Sequence, residues 1–162
     1  MNSPAYLSVI SVNGFDLIKE DSSSHDRIFE GWGSVEVKDL QGDIIPINVI
    51  SKVMPTVMKR GGVIIDGHSN RHIGKILDWE MKDKSGTPGI WIKGQVFRDY
   101  SADDKVWKEI KNGIITGLSL GGKALEQEFI LDGGVTENIV RKAEIYEWSV
   151  VRHPANPGAM IE

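Results

Sequence analysis

One serine, Ser119, stands between glycines in the stretch NGIITGLSLGGKA and is the first candidate for a chemical role. In a β-strand alternate residues share a face, so Leu118 and Leu120 would point one way and Ser119 the other, together with Gly117 and Gly121. The glycines would leave room on both sides of the hydroxyl, as a nucleophile that attacks a peptide carbonyl requires. The alternative is that the glycines mark a bend or bulge and that Ser119 has no chemical role.

A serine nucleophile needs a base, because its free hydroxyl is a poor nucleophile at neutral pH. The chain has four histidines. His68 follows the apolar run GVIIDG, where a strand would deliver a side chain to a loop. A metal site formed by Asp66, His68 and His72 is the competing interpretation. The four-residue spacing of its histidines suits a helix, however, and the surrounding glycines disfavour one.

A catalytic base is usually oriented by a third group. The candidates are Glu147 in the segment EIYEWSVVRHP, His153 a few residues later, and Asp66. Glu147 stands in an otherwise apolar strand, where a carboxylate normally has a partner because burying it alone is costly. The alternative is that Glu147 faces solvent.

The elements that must position these residues are mostly strands. YLSVISV and IFEGWGSVEV alternate between apolar and polar residues, as half-buried strands do, and a serine-rich stretch between them, residues 19–26, predicts a loop. Residues 47–60 change to helical spacing. Pro55 removes a backbone donor there, so we expect a kink or two short helices.

Further strands are predicted around GVIID, on both sides of KDKSGTPG, and as a hairpin around Asp132. A second helix is predicted to begin at SADD, with Ser101 as its cap and Asp104 completing a capping box. It should end at Asn112. No repeat or domain linker is evident. The pattern predicts one β-rich domain with two helices and a closed or partly closed barrel.

Composition narrows the class of protein. The chain has 162 residues, of which 40% are apolar and 26% charged, with a formal net charge of −4 and no cysteine. The apolar and charged fractions fit a folded soluble domain. The negative net charge argues against nucleic-acid binding. The absence of cysteine excludes a disulfide scaffold and a thiol nucleophile. Neither a membrane span nor a signal peptide is recognisable in the sequence, so a cytosolic product is expected.

Taken together, IIDGHSNRHIGKI, GIITGLSLGGKA and YEWSVVRHPANPGA resemble the signature segments of the caudovirus prohead serine proteases. These are capsid-maturation proteases similar in fold to the herpesvirus assemblins. The resemblance implies a mixed, β-rich fold, with a single-domain β-barrel core and surrounding helices over residues 1–162. It implies that Ser119 is the nucleophile, that His68 is general base and then acid, and that Glu147 orients the imidazole. Assemblins use a second histidine as third member, so His153 stays open as the rival.

The resemblance also implies partners and a place of action. Substrates would be the scaffold protein, the major capsid protein and the protease's own tail, cut inside the assembling procapsid in the host cytoplasm. An extended peptide would add along an exposed strand edge. A homodimer is plausible by analogy with assemblins, and no cofactor, metal, nucleic acid or membrane is implied.

Three alternatives stay open at this point. The C-terminal sequence AMIE suggests that Glu162 is the product of self-cleavage, although the chain could equally have been cut there by design or end there in its gene. The protein could be a non-catalytic β-barrel that binds capsid or scaffold. It could also be a metal-dependent hydrolase that uses Asp66, His68 and His72.

Overall fold

A computed structural model describes residues 6–13, 15–16, 26–39, 42–67 and 69–152; the side chains of residues 6–13, 15–16 and 132 lie outside this description. The elements are β1 (Tyr6–Asn13), β2 (Phe15–Asp16), β3 (Arg27–Val35), β4 (Asp43–Ile44), α1 (Ile47–Lys59), β5 (Val63–Asp66), β6 (Arg71–Lys84), β7 (Thr87–Val96), α2 (Ser101–Lys111), β8 (Gly117–Asp132) and β9 (Val135–Val151). The predicted β-rich fold with two helices is confirmed. Residues 19–25 of the predicted serine-rich loop, with His25, lie outside the described residues.

The nine strands of the described residues form one sheet in the order β1-β8-β9-β5-β6-β7-β3-β2, and β4 pairs separately with β9. Most neighbours are antiparallel, whereas β9 runs parallel to both β5 and β4. Tight turns join the long hairpins. Ser85 and Gly86 connect β6 to β7, and Gly133 and Gly134 connect β8 to β9, all with positive φ as a two-residue turn of this kind requires.

The expected closure into a β-barrel needs correction. Among the described residues, the hydrogen-bonded order runs from β1 to β2 and does not return. The reason lies in the first strands. β1 ends at Asn13 and β2 begins at Phe15, and they pair with β8 and β3 at opposite ends of the sheet. The covalent chain, rather than a ladder between β1 and β3, therefore connects the two ends.

The sheet is nevertheless strongly curved. Contacts between residues of strands that are not neighbours in the sheet show this curvature. The indole N–H of Trp148 on β9 donates a hydrogen bond of 2.9 Å to the carbonyl of Gly33 on β3. Gly33 also lies directly against Ile92 of β7 and leaves no space for a side chain. The core thus forms around Trp148, which is fully buried. Burial of so large an aromatic surface is a main stabilising contribution to this fold.

The first helix is continuous through Pro55, so the alternative of two short helices is wrong. Its buried stripe consists of Ile47, Ile50, Met54 and Val57. Pro55 is exposed, so its ring faces solvent and the apolar stripe can pack without interruption. The backbone N–H of Ile47 donates to the Glu36 carboxylate at 2.8 Å, which stabilises the start of the helix.

The second helix begins at the predicted Ser101, but its capping contacts are shifted by one residue. Asp103, rather than Asp104, accepts hydrogen bonds from the backbone N–H groups of Asp99 and Tyr100, both at 3.0 Å. Asp104 instead forms an ion pair with Arg27. The helix ends at Lys111, with Asn112 as its cap, as predicted. Neither described helix is long and apolar enough to cross a membrane.

Candidate active site

Ser119 lies in a row of residues that crosses four strands. Its Cα partner on β9 is Ser149, and its partner on β1 is Ser11. Ser149 is in turn level with Ile65 on the parallel strand β5. Side chains at directly opposed positions share a face of the sheet. Ser119, Ser149 and Ile65 therefore lie on one face.

The opposite face of the same strands is the apolar core. Leu118 is level with Val150, and Leu120 with Trp148, and all four are buried. The predicted alternation in β8 is thus confirmed. Because these four side chains fix which face of β8 packs inward, Ser119 is held on the other face.

The predicted free space around Ser119 is not present. Ser119 is only 3% exposed, and its Oγ has no hydrogen-bond partner among the described residues. On one side the carboxyl group of Glu147 occupies the position toward which a Cβ of Gly121 would point. Gly121 therefore accommodates a protein carboxyl group rather than an open approach for substrate.

His68 itself lies outside the described residues, but the chain on both sides of it is described. The backbone N–H of Gly67 donates to the carbonyl of Val150 at 3.2 Å. The N–H groups of Ser69 and Asn70 donate to the carbonyl of Asp66 at 3.1 and 2.9 Å. β5 and the segment that precedes His68 are therefore fixed against β9, one strand beyond Ser149.

The approach of this segment is close. A Cβ at Gly67 would lie 2.9 Å from Cγ1 of Val151 and 3.4 Å from Cβ of Ser149. Strands in a sheet are about 4.8 Å apart, so β8 and β5 are separated by roughly 10 Å. That interval is short enough for side chains from the two strands to meet over β9.

Glu147 is half-buried, and burial raises the pKa of its carboxyl group above the ordinary glutamate value. It is level with Gly121, two residues along the strand from Ser149. Gly67, in contrast, lies near Val151, on the other side of Ser149. Along β9, Glu147 thus lies on one side of the Ser119–Ser149 pair, and the segment before His68 lies on the other side.

The rival third residue, His153, lies outside the described residues. The chain is described up to Arg152, whose guanidinium forms an ion pair of 2.5 Å with Glu109 of α2. The carbonyl of Arg152 accepts a hydrogen bond of 3.1 Å from the hydroxyl of Thr116. These contacts fix the end of β9 beside the start of β8.

The residues of the alternative metal site are only partly described. Nε2 of His72 lies 2.9 Å from the carbonyl oxygen of Gly74, and its ring packs edge-on against Phe97 at 5.1 Å. His72 is on a strand, not a helix. Within the described ranges, no three histidine, aspartate or glutamate side chains gather as metal ligands.

Two surfaces next to the row bear on substrate access. The edge of β8 from Gly117 to Lys123 is paired with the chain's own β1, so a substrate peptide cannot add to this part of β8 while β1 is in place. Beside the Asp66–Asn70 turn lies a cleft of about 400 Å³ lined by charged residues. Its charged lining residues are Asp66, Arg71, Lys105, Glu109 and Arg152.

Sequence reasoning missed Ser149 as a site residue. It is the serine two residues after Glu147 in the quoted segment YEWSVVRHPANPGA, and this position in the motif was the signal that could have singled it out. Only the pairing of β8 with β9 brings it level with Ser119.

The protein is a β-rich single sheet with a candidate hydrolase site. In this site Ser119 and the segment before His68 lie on either side of β9. Residues 55–162 match the family model of the caudovirus prohead serine protease, and the chain belongs to that family. The resemblance inferred from the three segments is thereby confirmed.

Two individual proteins are similar to the chain. It is 30% identical over 141 residues to the prohead protease of Escherichia phage T5, an alignment that covers 84% of this chain and 63% of that protein. The chain therefore spans less than two thirds of that relative's length. The structure of the bacteriophage T4 capsid assembly protease superposes with a TM-score of 0.64 at 16% identity, covering 94% of this chain and all of the other. At that identity the likeness shows a shared fold.

Proposed function

We propose that this protein is a serine endopeptidase that cleaves capsid precursor proteins during prohead maturation. The observation that carries the proposal is the cross-strand row: Ser119 on β8, Ser149 on β9, and Gly67, the residue before His68, against β9 on its far side. Membership of the prohead serine protease family supports the reaction class.

In the proposed mechanism, Ser119 is the nucleophile and His68 the general base. His68 takes the proton of the Ser119 hydroxyl as Oγ attacks the scissile carbonyl carbon. The imidazolium then gives that proton to the leaving amine, which leaves an acyl-enzyme. Water, deprotonated by the same imidazole, hydrolyses the ester and restores the serine. No metal or organic cofactor takes part in these steps.

The third group of the triad is proposed to be Glu147, with His153 as its rival. Glu147 has the carboxylate that this role requires, and its surroundings are partly desolvated. To contact the imidazole, its carboxyl group would have to turn away from Gly121 toward the level of Ser119. His153 follows Arg152 at the end of β9, the end on which Gly67 lies.

The substrates follow from the family and from the two named relatives. A prohead protease of phage T5 and a capsid assembly protease of phage T4 are the proteins to which this chain is similar. We propose that scaffold protein and major capsid protein are its substrates, that it trims its own C-terminal segment, and that it acts inside the assembling procapsid in the host cytoplasm. Self-association into a homodimer belongs to the same proposal.

Labelling with a small fluorophosphonate tests this function, because such a reagent forms a covalent adduct only with an activated serine. We would measure the intact mass of the wild type, Ser119→Ala and His68→Ala, and locate the adduct by peptide mass spectrometry. A single adduct on Ser119 that is absent from both variants supports the proposal. An unlabelled wild type whose precursors also stay uncut would favour a non-catalytic protein, an alternative consistent with the 3% exposure of Ser119.

A further inference from the structure

The Ser119 hydroxyl is unusual because it is buried yet has no hydrogen-bond partner among the described residues. Buried polar groups almost always have a partner, and one that lacks it destabilises the fold. The exceptions are often found where a group must be available for chemistry. A hydroxyl that can approach Ser119 Oγ would both satisfy it and fix its direction.

Ser149 carries such a hydroxyl. It is the Cα partner of Ser119 on β9, and the two side chains share a face. Cβ atoms of directly opposed residues are about 5 Å apart, and hydroxyl pairs at such positions hydrogen-bond to each other. Rotation of Ser149 between its staggered χ1 positions is enough to bring its Oγ toward or away from Ser119.

We propose that Ser149 is the positioning residue of the nucleophile: its hydroxyl donates a hydrogen bond to Ser119 Oγ in the reactive arrangement. Ser119 then accepts one hydrogen bond from Ser149, and its own proton is left to point toward the base. This role rests on the proposed peptidase function. It requires no new chemical step, because Ser149 neither gains nor loses a proton during the reaction.

Among the residues of β9, the register selects Ser149 over Glu147. Glu147 lies two residues further along β9, which is about 7 Å at the usual strand rise, and its carboxyl group lies over Gly121. Ser149 is level with Ser119 and also next to Gly67. It is therefore the β9 residue that lies beside both the nucleophile and the segment preceding the base.

A matched pair of substitutions isolates the hydroxyl. Ser149→Thr keeps the hydroxyl and adds a methyl group, whereas Ser149→Val has nearly the same shape without the hydroxyl. Both variants carry the same added methyl group, so its effect cancels when the two are compared. We expect the rate constant for fluorophosphonate labelling of Ser149→Val to be roughly ten- to a hundredfold below that of Ser149→Thr, as for a misplaced catalytic group. Equal rate constants for the two variants would overturn the proposal.

The pH profile of labelling separates positioning of the nucleophile from an effect on the base. If Ser149 acts on Ser119, loss of its hydroxyl lowers the plateau rate constant and leaves the midpoint of the profile unchanged. A shifted midpoint would mean that Ser149 acts on the imidazole, which would overturn the assigned role.

A second experiment measures stability rather than activity. It therefore distinguishes failure of this inference from failure of the peptidase function. We would compare the Tm of Ser149→Thr and Ser149→Val in the Ser119 background and in the Ser119→Ala background. If the two hydroxyls form a hydrogen bond, the difference in Tm between Ser149→Thr and Ser149→Val is larger in the Ser119 background than in the Ser119→Ala background. The same difference in both backgrounds would overturn the pairing, even in a protein that the fluorophosphonate labels. An unlabelled wild type that shows the larger difference would overturn the peptidase function and retain the pairing.

Discussion

The carboxyl group of Glu147 lies over the backbone of Gly121, in the place that a Cβ atom at that position would occupy. The two residues are Cα partners in the β8–β9 ladder. A glycine is therefore needed at 121 for the carboxyl group to adopt this position. The glycine that looked like space for a substrate is filled by the protein's own acidic side chain.

Adding a methyl group at Gly121 should move the carboxyl group without unfolding the protein. In Gly121→Ala the three heavy atoms nearest to the new Cβ all belong to the far end of the flexible Glu147 side chain, which can rotate away. We expect less than about 1 kcal/mol of lost stability. If Glu147 orients the base after turning away from Gly121, Ser119 should be labelled at least as fast in Gly121→Ala as in the wild type, and faster than in Glu147→Gln. Denaturant unfolding and labelling rates check the two expectations.

Gly122→Ala is the control for that variant. Its Cβ would meet the backbone carbonyl of Glu144 and lie 3.0 Å from the Cα of Ile145, and neither atom can move aside independently of β9. We expect a loss of about 1–3 kcal/mol or more. Equal losses for the two variants would show that Glu147 is held rigidly over Gly121.

The stability of the protein should depend on pH through Glu147. Burial raises the pKa of this carboxyl group in the folded state above its unfolded value. The resulting contribution to stability is present in full below the unfolded pKa and is lost as the pH rises through the folded pKa. Glu147→Gln cannot ionise. The stability of that variant relative to the wild type should therefore increase as the pH rises above about 4, where the carboxyl group of the unfolded wild type begins to ionise.

Unfolding titrations at pH 4, 5, 6, 7 and 8 measure this dependence. Because Glu147 is partly exposed, the effect should be modest. A relative stability that decreases with rising pH would mean that a cation stabilises the carboxylate. A protonated imidazole is the cation that the proposed triad would supply.

Removing the nucleophile should leave the fold intact or stabilise it slightly when the proposed partner of its hydroxyl is also removed. A buried hydroxyl without a partner costs about 1–3 kcal/mol of desolvation, and Ser119→Ala removes that cost while leaving only a small void. In the Ser149→Val background we therefore expect Tm to stay equal or rise on Ser119→Ala, while the fluorophosphonate adduct disappears.

Ser34→Ala is the matched control, because Ser34 is fully buried and its hydroxyl also lacks a partner among the described residues. Its Tm should respond in the same direction, but labelling of Ser119 should be unaffected. A marked fall in Tm for Ser119→Ala alone would reveal a stabilising partner of the Ser119 hydroxyl.

The close approach of Gly67 to β9 should be necessary for rapid labelling. In Gly67→Ala the new Cβ would lie 2.9 Å from Cγ1 of Val151 and 3.2 Å from the carbonyl oxygen of Val150. The segment before His68 must then move away from β9, so labelling should slow by roughly tenfold or more.

Val151→Ala in the same background removes the closer of these two contacts and should restore part of the rate. The single variant Val151→Ala supplies the baseline. If Gly67→Ala labels as fast as the wild type, the base does not depend on the position of this segment.

The sequence alone determined the local structure well. Alternation predicted the strands, the paired turn residues predicted both long hairpins, and helical spacing placed both helices, because these features depend on neighbouring residues. The three motif segments were also sufficient to recognise the family. Local reasoning left two short helices open at Pro55, and the packed stripe of Ile50, Met54 and Val57 decides for one continuous helix despite the missing backbone donor.

The tertiary structure decided what surrounds Ser119. A period of two assigns a side chain to a face of the sheet but not to a level along the neighbouring strand. Pairing between β8 and β9 places Ser149 beside Ser119 and Glu147 beside Gly121. Pairing with β1 covers one edge of β8 beside Ser119. These contacts join residues far apart in the chain, and long-range pairing is set by the packing of the whole sheet rather than by local sequence.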